Sequence, residues 1–201
     1  DTNVVSINCG NSKFEIIGIS AQEFPKIEEE VSGGTEIEIE LDPLLKSIKN
    51  TVYAAANYEN RNVISGVFCL IKGNKLEMAA TDGNRLTRIV ETIKNKDEKS
   101  AKIVIPSKTL NEFVRICSFI AEEKVIFIVD KSKLTLKTMS FSINSRLIEG
   151  EYPPYEQLIP KSTANNSTIS RDELISALDR VSTMVNDRTS IVKFMFNDNK
   201  L

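Results

Sequence analysis

The sequence predicts an α+β protein built from tandem β-α-β-β-β units, and three observations carry that expectation. A strictly alternating stretch at residues 36–41 runs straight into a helical pattern, and three strand-like runs with tight turns follow it. The same order of elements starts again 66 positions later, where Leu44-x-x-x-Ile48 is matched by Leu110-x-x-x-Val114. A longer period repeats three markers in order. Glu23-Phe24-Pro25 returns as Glu151-Tyr152-Pro153, Leu44-Leu45-x-x-Ile48 as Leu174-Ile175-x-x-Leu178, and Asn74-Lys75-Leu76 as Asn199-Lys200-Leu201, at separations of 128, 130 and 125.

Taken in order, residues 36–41 place Ile37, Ile39 and Leu41 on one face and three glutamates on the other, the pattern of a half-buried strand. Asp42-Pro43 then offers an N-cap and a proline at the first helical position. Leu44, Leu45, Ile48, Val52 and Ala55 follow at helical spacing, opposite Lys46, Lys49 and Asn50. Residues 63–71, 75–81 and 85–93 read as strands joined by the turns Lys72-Gly73-Asn74 and Asp82-Gly83-Asn84. After a charged loop at 94–99, residues 102–105 form the next strand. Ser107 is expected to cap a helix with Leu110, Phe113, Val114 and Cys117 inward and Lys108, Asn111, Glu112 and Arg115 toward its polar side. Residues 124–129, 133–139 and 141–148 complete the second unit. A capping box, Ser170-x-x-Glu173, opens a third helix, and residues 190–201 read as a strand.

Polar or glycine-bearing joints at 28–35 and 160–167 divide the chain into 1–30, the end of one domain, 31–160, a whole domain, and 161–201, the start of another. A chain that opens on Asp1 and stops within a strand-like run is expected to be a piece of a longer protein.

Composition narrows the chemistry. Hydrophobic residues at 41% supply a sizeable core, and no apolar run approaches the roughly 18–20 residues of a membrane span. The absence of histidine rules out Ser-His-Asp and Cys-His catalysis and imidazole metal sites. Cys9, Cys69 and Cys117 lie 60 and 48 positions apart, without metal-ligand spacing, and are expected to be buried, reduced thiols of a cytoplasmic protein. Eight glycines form no phosphate-cradling loop. Asp82, Asp130 and Asp179 are the alternative, a metal-dependent acid site, but they lie on different elements. The expectation is a protein that is not an enzyme and needs no cofactor. A net charge of −2 gives no bulk attraction to nucleic acid, although a locally basic surface is compatible with it.

Two segments carry a resemblance. Ala80-Thr81-Asp82-Gly83-Asn84-Arg85-Leu86 resembles the Ala-Thr-Asp-Gly-His-Arg-Leu hairpin of the bacterial sliding clamps, the beta subunit of DNA polymerase III. Ser145-Arg146-Leu147-Ile148-Glu149-Gly150-Glu151-Tyr152-Pro153 is similar to that family's Ser-(Arg/Lys)-Leu-(Ile/Val)-(Asp/Glu)-Gly-x-(Phe/Tyr)-Pro segment. The order also fits: helix, residues 61–66, hairpin, second helix, then this segment. The resemblance implies a clamp fold, with antiparallel sheets outside and helices on the inner face. It also implies a non-catalytic processivity factor that closes head to tail into a homodimeric ring around double-stranded DNA. Its further partners would be the polymerase catalytic subunit, the clamp loader and other proteins bearing short hydrophobic clamp-binding motifs, with no membrane.

The resemblance further implies two sets of site residues. Ile64, Thr81, Gly83, Asn84, Arg85, Leu86, Pro153, Gln157 and Leu158 match the peptide-binding groove, although Asp82-Gly83 read alone is simply a tight turn. Lys46, Lys49, Lys108, Arg115 and Arg180 are candidates to face DNA, although the pattern alone gives an ordinary solvated helix face. Asn84 stands where the family often has His and Gln157 where some members carry Arg, which removes a titratable group and a cation from the groove. A peptide-binding scaffold that never meets DNA is the alternative from another class.

Overall fold

The computed structural model describes residues 3–24, 33–57, 62–95, 98–185, 191–197 and 200–201. Part of the joint at 28–35, and Pro25, Arg61, Ser190 and Asn199 of the sequence markers, lie outside the described residues. The chain divides into two compact units, 1–155 and 156–201.

The first unit opens with a ribbon of β1 (Val4–Cys9) and β2 (Ser12–Ile17), paired with each other and exposed along their whole length. Cys9 is therefore exposed, against the expectation that all three thiols are buried. The apolar stretch around it belongs to a two-stranded ribbon that no layer of the described residues covers on either face. Cys69 and Cys117 are buried as expected, and burial pushes the Cys69 thiol up to about 12.

The body of this unit contains β3 (Thr35–Glu40), α1 (Leu41–Lys49), β4 (Gly66–Lys72), β5 (Lys75–Thr81) and β6 (Leu86–Thr92). The pattern repeats as β7 (Ala101–Pro106), α2 (Ser107–Cys117), β8 (Lys124–Val129), β9 (Lys133–Lys137) and β10 (Ser142–Arg146). The 66-residue offset holds at both starts, 35 to 101 for the strands and 41 to 107 for the helices. The two halves exchange their first strands. The sheets run β6-β5-β4-β7 and β10-β9-β8-β3, so each three-stranded meander is completed by a strand from the other half. All pairs are antiparallel; Val67 faces Ile105 across β4–β7, and Ile39 faces Val125 across β3–β8.

One core joins the two halves. Ile37, Ile39, Leu44, Ile48, Val67, Leu76, Leu110, Phe113 and Phe127 are all sealed from solvent within a single cluster fed by both sheets and both helices. Burial of side chains of this size stabilises by roughly 1.5–3 kcal/mol apiece before conformational entropy is subtracted.

The helix starts differ from the sequence reading. The N-cap of α1 is Glu40, not Asp42, and Pro43 is its third residue. The strand turns into the helix without a break because the Leu41 N–H donates to the Glu123 carbonyl of the second half at 2.8 Å, which replaces a side-chain cap. Asp42 sits in the first turn, where its charge suits the helix dipole. Likewise Pro106 is the N-cap of α2 and Ser107 its first residue. The predicted helical run to Ala55 breaks after Lys49 into a 3-10 turn, Val52–Ala54, as the Thr51 hydroxyl donates to the Ser47 carbonyl at 2.7 Å. A second 3-10 turn, Val63–Ser65, precedes β4.

The other face of the β6-β5-β4-β7 sheet carries a strap, residues 147–155. Strand alternation turns Phe68 and Val104 away from the main core. Tyr152 and Tyr155 pack on the Phe68 ring, each with centroids 5.5 Å away. The Ile148 N–H donates to the Val104 carbonyl at 3.0 Å. Beneath the strap, a Cβ at Gly66 would lie 2.7 Å from Val104 Cγ1 and 2.8 Å from both the Ile105 carbonyl oxygen and Ile148 Cδ1. The Tyr155 hydroxyl donates to Glu77 Oε1 at 2.6 Å, and Arg88 grips both oxygens of the same carboxylate at 2.7 and 3.0 Å. The Arg88 hydrogen bond, helped by that of Tyr155, holds the Glu77 carboxyl below its usual range.

The second unit contains α3 (Arg171–Ser182), whose N-cap is Ser170; its hydroxyl accepts from the Glu173 N–H at 3.4 Å, as the capping box predicts. The strand expected at 190–201 is not formed among the described residues, where a single bridge links Asn197 and Lys200. A strand needs a ladder partner, and this unit offers none among its described residues.

Three outcomes follow from this architecture. A chain of residues 33–99 alone, lacking β7, will show no cooperative urea transition by circular dichroism, whereas residues 33–155 will. Gly66→Ala will lower stability in urea denaturation by about 1–3 kcal/mol, through the clash with backbone and Val104. Glu77→Gln will lower it at neutral pH by about 1 kcal/mol. Because the folded carboxyl titrates below the ordinary glutamate value of about 4.3, that difference is complete above this pH and fades as pH falls through the depressed value.

Candidate functional site

The hairpin between β5 and β6 is built by two side chains that cap its own backbone. The Thr81 hydroxyl donates to the Arg85 carbonyl at 2.7 Å and accepts from the Gly83 N–H at 3.1 Å. Asp82 Oδ1 accepts from the N–H groups of Asn84 and Arg85 at 2.9 and 3.0 Å, and these bonds hold its carboxyl below the usual range. Gly83 takes φ of +90°, a conformation that only glycine adopts without strain. The turn geometry thus accounts for Thr81, Asp82 and Gly83 at once.

Arg85 is preorganised by the same carboxylate, Nε to Asp82 Oδ2 at 3.0 Å, and its guanidinium lies 5.7 Å from the Tyr53 ring centroid. Asn84 and Arg85 are exposed and Leu86 is half-buried. The strap reaches the hairpin through Tyr152, whose hydroxyl accepts from the Thr81 N–H at 3.2 Å; burial pushes that phenol up. Pro153, next in sequence, is half-buried. Half-buried Ile64 is tied in less directly: its carbonyl accepts from the Ala56 N–H at 2.9 Å, three residues after Tyr53.

The structure therefore brings Thr81, Gly83 and Arg85 into one bonded cluster, with Asn84 and Leu86 on the same hairpin and Pro153 beside the tyrosine that binds it. Gln157 and Leu158 are exposed residues of the second unit. Tyr53, the Tyr152 hydroxyl and the Glu77–Tyr155 pair were not legible as site features, since each acts through a contact between distant parts of the chain.

Of the cationic candidates, Lys46, Lys49, Lys108, Arg115 and Arg180 are all exposed on their helices. Lys46 is paired with Glu91 at 2.6 Å, and Arg115 with Glu112 at 2.6 Å. Lys49 and Lys108 make no ion pair among the described residues. Lys49 and Arg115 occupy the same place in the two halves, 66 positions apart. Asp130 closes the β8–β9 turn by accepting from the N–H groups of Ser132 and Lys133. It is thus engaged in a turn, as Asp82 is, and no cluster of metal-ligating side chains occurs among the described residues. No helix is long and apolar enough to cross a membrane among the described residues.

A family profile described as the DNA polymerase III beta subunit, central domain, matches residues 38–154. The beta sliding clamp of Streptococcus pneumoniae serotype 4 is 33% identical over 172 residues, covering 85% of this chain and 44% of its own length. That of Synechocystis is 29% identical over 207 residues, covering 96% and 52%. Among solved structures, the DNA polymerase sliding clamp from Bacillus subtilis superimposes with a TM-score of 0.78 at 26% identity, over 93% of this chain and 49% of that one. The Streptococcus pneumoniae polymerase III beta chain gives 0.79 at 28% identity, over 91% and 48%. The chain spans about half the length of the relatives it matches. With that profile spanning the strand-exchanged double unit from β3 to the strap, this chain belongs to the DNA polymerase III beta subunit family, the bacterial sliding clamps.

Proposed function

We propose that this chain is the central part of a clamp subunit that encircles duplex DNA and captures short hydrophobic peptides of polymerase and clamp-loader proteins. In this reading residues 31–160 are the whole second domain, flanked by the end of a first domain (1–30) and the start of a third (161–201). The subunit is a non-catalytic tether that closes head to tail into a homodimeric ring. The observation that carries the reading is the hairpin, where Thr81, Asp82 and Tyr152 hold the backbone that presents Arg85 and Leu86, a preformed wall bonded to the strap that carries Pro153. Preformed walls favour peptide capture because little ordering entropy is lost on binding. Ile64 and Asn84 are assigned to the same groove, with Asn84 donating a hydrogen bond that does not titrate.

Encirclement needs no base reading and little phosphate grip, since tight phosphate contacts would pin the ring and make it salt-sensitive. Lys49 and Lys108, without ion-pair partners among the described residues, are assigned here as the mobile DNA-facing cations, together with Arg180; Lys46 and Arg115 join them at the cost of exchanging a carboxylate partner for phosphate. Those two internal ion pairs are also what a DNA-independent scaffold would show.

Two measurements test the assignment. A fluorescent Gln-Leu-x-Leu-Phe-type peptide will bind this chain, and Arg85→Ala with Leu86→Ala will weaken it by about tenfold or more; unchanged binding removes the groove. In the complete subunit, loaded protein will persist on nicked circular DNA and leave linear DNA. Reversing Lys46, Lys49 and Arg115 to Glu will impair loading, whereas indifference to that reversal favours the scaffold.

A further inference from the structure

Tyr152 and Tyr155 bracket the dipeptide Pro153-Pro154, and both are anchored to a single strand. The Tyr152 hydroxyl is bound to the Thr81 N–H at the end of β5, and the Tyr155 hydroxyl to Glu77 four residues earlier on the same strand. Their rings lie 6.2 Å apart edge to face, with Phe68 5.5 Å from each. Between two fixed points, two prolines with locked φ have little freedom left. The Tyr155 N–H closes the bend by donating to the Pro153 carbonyl at 2.7 Å.

The anchor at Tyr155 is stronger than a lone phenol would make it. Glu77 is largely covered, with 13% of its side chain exposed, and Arg88 from β6 holds both its oxygens. A charged acceptor held on a rigid cross-strand pair, Ala79 facing Arg88 and Glu77 facing Val90 in register, is a fixed target for the hydroxyl. None of these three side chains is among the groove residues themselves.

We infer that the Arg88–Glu77–Tyr155 chain is a latch that positions Pro153, and with it one wall of the peptide groove. The inference rests on the groove reading above. Tyr155 and Glu77 act through Pro153 and do not touch the peptide, so they are positioning residues. Removing the latch frees the far end of the strap while the Tyr152 anchor and the hairpin stay in place. The peptide then meets a wall that must be ordered on binding, and affinity falls without loss of the fold.

The test uses this 201-residue chain and the labelled hydrophobic peptide, well below the unfolding midpoint, with two readouts: peptide affinity and hydrogen exchange at the Tyr155 amide. Tyr155→Phe keeps the ring and deletes the hydroxyl; it is expected to speed exchange at that amide and weaken the peptide by about five- to tenfold. Glu77→Gln keeps an acceptor for Tyr155 but loses the bidentate grip of Arg88, so both effects are expected in the same direction and smaller. This second variant decides the matter if the first does not fold. A merely structural role would lower the midpoint and leave both readouts at their wild-type values, which overturns the latch. Faster exchange with unchanged affinity overturns it too, because the strap would then be loosened without consequence for the groove. If Arg85→Ala with Leu86→Ala binds like wild type, the groove reading itself falls and takes the latch with it. Loss of binding in that double variant alongside unchanged affinity in Tyr155→Phe and Glu77→Gln overturns the latch alone.

Discussion

The exchange of first strands between the two halves is the constraint on which this structure depends. Without β7, the meander of β4, β5 and β6 would expose the β4 edge along Gly66–Lys72; without β3, the β8 edge would be equally bare. The exchange also explains how the helices start. Leu41 can begin α1 directly from β3 because β3 lies in the other half's sheet, within reach of the Glu123 carbonyl. Helices, sheets and caps are thus fixed by one topological choice, and a single core of Ile, Leu, Val and Phe side chains seals it.

On that frame the two halves have kept the same turn chemistry and used it differently. Thr138 at the β9–β10 turn repeats what Thr81 does at the β5–β6 turn, its hydroxyl donating to the Phe141 carbonyl as that of Thr81 does to the Arg85 carbonyl. Phe119 stands 66 positions after Tyr53, each exposed after its helix. Only the first half places an Asp-Gly turn and an arginine there, and only its hairpin is met by the Tyr152 hydroxyl of the strap. The candidate site is therefore an elaboration of one of two equivalent corners.

Much of this was readable from the residues. The alternation of Ile37 and Ile39 gave the strand and its buried face, although Leu41, read as its last residue, opens α1, and the 66-residue echo of Leu44 and Ile48 gave the second unit. The Asp82-Gly83 turn and the Tyr152-Pro153 segment pointed to the hairpin and the strap. What was not readable depends on partners far along the chain. Asp42 looks like a cap because its true substitute, the Glu123 carbonyl, lies across the core. Cys9 looks buried because apolar neighbours do not reveal whether a layer covers them. Periodicity cannot show which sheet a strand joins, and no local pattern links Glu77 to Tyr155.

The exchanged strands have a consequence for how the molecule responds to dilution. Two such halves on separate polypeptides would associate in a concentration-dependent way, like any dimer that shares strands. Joined by the connection between β6 and β7, each half instead meets its complement at an effective concentration that the tether sets, on the order of millimolar for short flexible linkers. The pairing thereby does not depend on protein concentration, and each half is free to accumulate substitutions that would spoil a symmetric dimer. An Asp-Gly corner on one side and a Met139-Ser140 corner on the other are what such freedom looks like.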